Sequence, residues 1–180
     1  MGLFGAKKKS YVDAGTRLTL DLVQSLKLPG WSNGIPEYTE AEIEAIDLTI
    51  SKFQHQADQE LGGKAVFHPD AIRDIQRKLA ADGLNELACR AKSILESDDN
   101  KKGWEPIASM FLKAWASSLT PMNLIHLGDM FAHLGLNNEA RQTFEVVLLL
   151  PEYAEKLYGK NVELTDDIVS TAKSSLEKLK

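Results

Sequence analysis

Apolar residues recur at helical spacing along most of the chain, and the recurrences break at glycine, proline and short polar turns. Leu18, Leu22 and Leu26 stand one turn apart and predict a first helix over about residues 11–28, stopped by Pro29-Gly30. The breaker-dense stretch that follows, PGWSNGIP, predicts a loop. Thr39 with Glu42 three residues on is a capping box, and Ile43, Ile46, Ile50, Phe53, Ala57 and Leu61 continue on one stripe to Gly62-Gly63. Pro69 opens a third helix with Ile72, Ile75 and Leu79 on its inner face, expected to end at Gly83. Leu84, Leu87, Ala91, Ile94 and Leu95 mark a fourth, and Trp104, Ile107, Phe111, Ala114 and Trp115 a fifth. Thr120-Pro121 reads as an N-cap and first-turn proline for a sixth helix, closed by Gly135. A seventh runs from about Asn137 to Leu150. The last, over 165–179, has acids in its first turn, lysines at its end and an inner face of Ile168, Ala172, Leu176 and Leu179.

No segment alternates with period two, so the expected class is all-α: an irregular helical stack, α-α superhelix-like, of about eight helices. A chain of 180 residues, 43% hydrophobic and 26% charged, fits one domain over 11–180 preceded by a basic arm at 1–10, expected to be flexible. The formal charge of −5, with basic residues scattered, argues against nucleic acid as a partner. Cys89 is alone, so neither an internal disulfide nor a multi-cysteine zinc site can form within one chain. No apolar run approaches the ~20 residues of a membrane span. No secretory signal is visible at the N-terminus. The expectation from these features is a cytoplasmic, soluble protein.

One segment carries more than periodicity. Leu124, Leu127, Gly128, Phe131, Gly135, Ala140, Phe144 and Pro151 follow in the order Leu-x₂-Leu-Gly-x₂-Phe, Gly, Ala-x₃-Phe, Pro. Small residues would sit where two antiparallel helices approach, phenylalanines between them and a glycine in the turn. The pattern over 121–151 resembles a divergent tetratricopeptide repeat, with Leu124 where tryptophan is common and Pro151 one residue early. The signature does not recur downstream: Asn161 and Val162 stand where leucine and glycine would return. Upstream, GLNELACRAKSILE from Gly83 is only faintly similar to GLNNEARQTFEVVL from Gly135. The resemblance therefore implies one helix pair inside a less regular stack, with 165–179 as a capping helix. It also implies that the first helix of the pair lines a ligand surface, which would present Met122, Ile125, Asp129, Ala132 and His133 to a short peptide or partner helix. The alternative is that neighbouring helices cover this face and make it core.

The candidates for chemistry are thinner. His126, Asp129 and His133 share a helix face, but the outer two lie about 10 Å apart at 1.5 Å per residue, a poor cage for one metal ion. His55 and His68 have no serine or cysteine motif nearby, Cys89 reads as a small packed residue, and Gly62-Gly63 lacks the rest of a phosphate loop. No catalytic residue, metal or cofactor is expected. Gly2 begins a myristoylation-like start that fails at Ala6. Leu3 and Phe4, followed by Lys7, Lys8 and Lys9, could instead touch an anionic membrane weakly. Trp31 lies in the Pro/Gly loop, either as a plug on the core or as an exposed anchor. The expected function is a non-enzymatic protein–protein interaction module: an adaptor, scaffold or chaperone-like binder. The alternatives are a structural subunit of a larger assembly, with residues 1–9 as its membrane contact in one version, and a small helical metal protein or enzyme.

Overall fold

The computed structural model describes residues 14–62, 68–97, 101–158 and 164–179. Among them are seven helices: α1 (Ala14–Ser25), α2 (Glu40–Leu61), α3 (Pro69–Ser97), α4 (Glu105–Ser117), α5 (Pro121–His133), α6 (Asn137–Tyr158) and α7 (Asp166–Lys178). The class is all-α, with one small departure. In the loop after α1, β1 (Trp31–Ser32) pairs antiparallel with β2 (Ile35–Pro36), pairing Trp31 with Pro36 and Ser32 with Ile35. Helices α2 to α6 stack in chain order, each against the next. α1 packs against α4 and α6, and α7 against α5 and α6.

Two expected helix ends fall inside helices. The third and fourth expected helices are one, because α3 runs unbroken through Gly83. A glycine ends a helix when its backbone turns left-handed, as Gly62 does after α2 with φ 59°. Gly83 stays helical and meets a different need: a Cβ there would lie 2.8 Å from the Ala45 carbonyl oxygen and 2.9 Å from Thr49 Oγ1. It is small because α2 crosses α3 at that point. Likewise α6 does not stop at Leu150. It continues through Pro151 to Tyr158, giving up one backbone donor and burying Ala154.

Most local signals act as their chemistry predicts. The Thr39 capping box is closed on both sides: the Glu42 amide donates to Thr39 Oγ1 at 3.3 Å, and the Thr39 amide donates to Glu42 Oε2 at 2.8 Å. Thr165 accepts from the Ile168 amide and starts α7. Thr120 takes the N-cap position of α5 without a capping bond, its hydroxyl facing that of Ser118 at 3.3 Å.

The core lies among α4, α5 and α6, closed by α1, the C-terminal half of α3 and α7. Phe111, Trp115, Leu124, Leu127, Phe131, Phe144 and Val147 are its large members. Trp104 meets Phe131 edge-on, with centroids 6.2 Å apart. A second, smaller cluster of Ala81, Leu84 and Ala114, with Ile46 against it, joins α2, α3 and α4. The stripe expected on α2 is covered only in part: Ile46, Ile50, Phe53 and Ala57 are half-buried, while Ile43 and Leu61 are exposed. Ile94, expected on the inner face of its helix, is also exposed.

Candidate functional site

The α5–α6 pair packs as its residue types suggest. Gly135 turns between the helices with φ 78°, and Gly128 lies against the Phe144 ring, where a Cβ would come within 2.7 Å. Leu124, Leu127, Phe131, Ala140 and Phe144 are all fully buried. The five residues expected to present a ligand surface are divided by this packing. Met122 and His133 are exposed, Asp129 and Ala132 are half-buried, and Ile125 is 3% exposed. Ile125 is a core residue and offers no surface, because α5 also has α3, α4 and α7 against it. The face around Asp129 is a mixed-charge seam with Lys92 and Glu96 of α3 and Lys178 of α7.

Burial, with Lys92 adding to it, holds the His126 imidazole below its ordinary range, against the pull of Asp129 and Glu96. Burial also raises the Asp129 carboxyl, opposed first by Lys92. Both groups are thus biased towards their neutral forms. His126 stacks on Phe111 with centroids 5.9 Å apart. His133 closes the helix, its carbonyl accepting from Lys101 Nζ at 3.0 Å. No group of three or more His, Cys, Asp or Glu side chains is gathered for a metal ion among the described residues. Nearby, Cys89 is half-buried beside Asn85 and its thiol is pushed up by burial, which disfavours the nucleophilic thiolate.

The most specific polar arrangement lies elsewhere. Lys113 sits in the middle of the apolar α4 sequence IASMFLKAWA and is buried at 1% exposure, with Glu42 at 5%. Its ammonium donates to both carboxylate oxygens of Glu42, at 2.9 and 2.8 Å, and stands 5.5 Å from the centre of the Tyr38 ring. One turn earlier, Ser109 accepts from Trp31 Nε1 at 2.9 Å and donates to the Pro29 carbonyl at 2.6 Å. The loop from Pro29 to Tyr38 is therefore fastened to α4 by two polar residues that helical periodicity alone would read as misplaced. Trp31, half-buried against the core, is the plug rather than the exposed anchor. The clue in the sequence was a lone lysine with apolar residues on every side of its helix, which only an opposite charge could accommodate.

Above this pair an open cleft of about 750 Å³ lies where α4 ends. Ile50, Ala80 and Ala116 provide apolar lining, Tyr38 a phenol, and Arg73 and Arg77 two guanidinium groups one turn apart on α3. Neither arginine has an acidic partner among the described residues. The arm residues Leu3, Phe4, Lys7, Lys8 and Lys9 lie outside the described residues, and no described helix is long and apolar enough to cross a membrane. No family model matches this chain, and neither the curated proteins nor the solved structures contain a match to it.

Proposed function

We propose that this chain is a non-enzymatic protein–protein interaction module whose docking surface is the α2–α3 hairpin. The observation that carries this reading is the burial of α2. Across 22 residues its one buried side chain is Glu42, although the helix also bears Ile43, Ile46, Leu48, Ile50, Phe53 and Leu61. Of the nine large hydrophobic residues exposed on the described surface, six fall between Ile35 and Ile72. Isolated exposed leucines need no explanation, but Ile43, Leu48 and Leu61 on α2 and Ile72 at the start of α3, with Ile35 and Tyr38 in the loop leading into α2, make a concentration that suits a contact surface. The α5 face is the weaker candidate, since its central apolar residue is already spent in the core.

Affinity capture from native lysate, compared across three proteins, tests the assignment. Partners held by the wild type should be lost from Ile43→Asp/Leu48→Asp and retained by Asp129→Lys/His133→Ala, with all three folded by circular dichroism. Capture that survives the α2 substitutions and fails with the α5 substitutions would return the surface to α5. Capture unchanged in both would remove the reading. Sedimentation velocity of the same set reports whether the partner is a second copy of the chain.

A further inference from the structure

We infer that the cleft at the end of α4 receives an acidic peptide segment in which a carboxylate side chain neighbours a large apolar one. The inference rests on the reading of the hairpin as an interaction surface and specifies which partner chemistry it recognises. Arg73 and Arg77 are one turn apart on the same wall of the cleft, about 6 Å along the helix axis at 1.5 Å per residue. Their guanidinium groups have no carboxylate within the described molecule to answer them, although Asp70 and Asp74 lie on the same helix; Asp70 faces His68 instead, at 3.6 Å. In a chain of net charge −5, two unanswered cations beside an apolar floor are a selective feature. They attract an acidic ligand that the rest of the surface repels. Arginine also suits the task geometrically, since its planar fork matches a carboxylate with two parallel bonds. The other cation near the cleft, Lys113, adds no pull, because Glu42 neutralises it behind the Tyr38 ring.

The apolar part of the ligand follows from the floor. Ile50, Ala80 and Ala116 leave room where the close-packed Ala81, Leu84 and Ala114 cluster ends, and small side chains there admit a larger one from outside. Ile50 also shares its helical stripe with the exposed Ile43 and Leu61, so apolar surface continues along α2 beyond the cleft in both directions. That extension favours a chain segment over a compact metabolite. A floor of this kind with only two cations is equally unsuited to a nucleic-acid backbone.

Selection of phage-displayed random dodecapeptides on the full-length protein, followed by fluorescence anisotropy with the enriched peptides, tests the inference. Enriched sequences should pair Asp or Glu with Leu, Ile, Phe or Trp, and their affinity should fall with added salt. Arg73→Glu/Arg77→Glu should weaken them by about tenfold or more, Arg73→Lys/Arg77→Lys should weaken them less, and Lys173→Glu on α7 should leave them unchanged. Neutral or basic enriched sequences, equal affinity for the double glutamate variant, or the absence of any enriched peptide would overturn it. So would full displacement by millimolar free phosphate at constant ionic strength, which would assign the cleft to a small anion. Peptides insensitive to the arginine variants but lost on Ile43→Asp/Leu61→Asp would defeat this inference alone and leave the hairpin as an interaction surface. A failure of the hairpin reading itself appears separately, in the lysate capture.

Discussion

Helices α4 and α2 both present a long apolar stripe, yet nine consecutive residues of α4 are buried, Ile107 to Trp115, while in α2 only Glu42 is. The difference lies in their neighbours. α4 lies among α1, α3 and α5, so every side of it meets another helix, and even Lys113 and Ser109 must be enclosed. α2 packs mainly on α3, which covers one side and leaves the rest to solvent. An apolar stripe thus records a capacity for burial, and the number of surrounding elements decides how much of that capacity is used within the chain.

Removing large side chains on the two sides should show the contrast most plainly. Phe131→Ala or Trp115→Ala should cost about 3–5 kcal/mol, because the fully enclosed site cannot collapse around the cavity. Phe53→Ala, half-buried on α2, should cost less than half of that in urea denaturation; equal costs would mean that α2 is enclosed after all. Lys113→Met should come next, at about 3–5 kcal/mol, since it strands the Glu42 carboxylate in a buried site. Lys113→Met/Glu42→Gln should recover most of the loss, because glutamine keeps the cap and leaves no charge. If the double variant is no better than the single one, the ion pair is not what holds α2 to α4.

Gly83→Ala should destabilise by about 1–3 kcal/mol at the crossing of the two regions, despite the helix propensity it gains, because the Ala45 backbone cannot move aside. Ile43→Asp should shift stability by no more than about 0.5 kcal/mol while abolishing capture, the signature of a residue used between molecules and not within one.

The smallest effect concerns pH. His126 is held below its ordinary imidazole value, so as pH falls below about 6.5 the unfolded chain takes up a proton before the folded one does, and stability declines towards the folded value. Asp129 is raised and acts in the opposite sense lower on the scale. The folded state binds its proton first, so falling pH adds stability between the raised folded value and the ordinary one. Thermal midpoints of the wild type should therefore drop from about pH 7.5 to about pH 5 relative to His126→Phe, which keeps the stack on Phe111 without the titration. Parallel profiles would show that His126 does not couple to folding.

How far the molecule could be read beforehand follows the same division. Helix starts set by local chemistry were legible: Thr39 with Glu42 and Thr165 cap the helices expected of them. Gly83 and Pro151 misled because their effects depend on what lies alongside. A glycine that would end an isolated helix is here the clearance for α2, and a proline that would end another is carried by a helix that still has Ala154 to bury. Lys113 was invisible to periodicity because its partner is 71 positions away in the chain. Ile125 looked like a groove residue because a helix pair taken alone leaves that face bare, and here the neighbouring helices cover it.

Glu42 bonds in two directions at once, to the Thr39 amide within α2 and to Lys113 across to α4. If the helix lifts away, the carboxylate turns to water and the first turn loses its acceptor, so detachment and fraying are one event. Local opening at the start of α2 is therefore expected to be cooperative, while α3 stays anchored through Ala81, Leu84, Ala88 and Leu95. A partner that binds α2 only in its attached state would raise the free energy of that opening by RT ln(1 + [L]/Kd). Amide exchange at the start of α2 then becomes a gauge of whether the partner is bound, readable before the partner is identified.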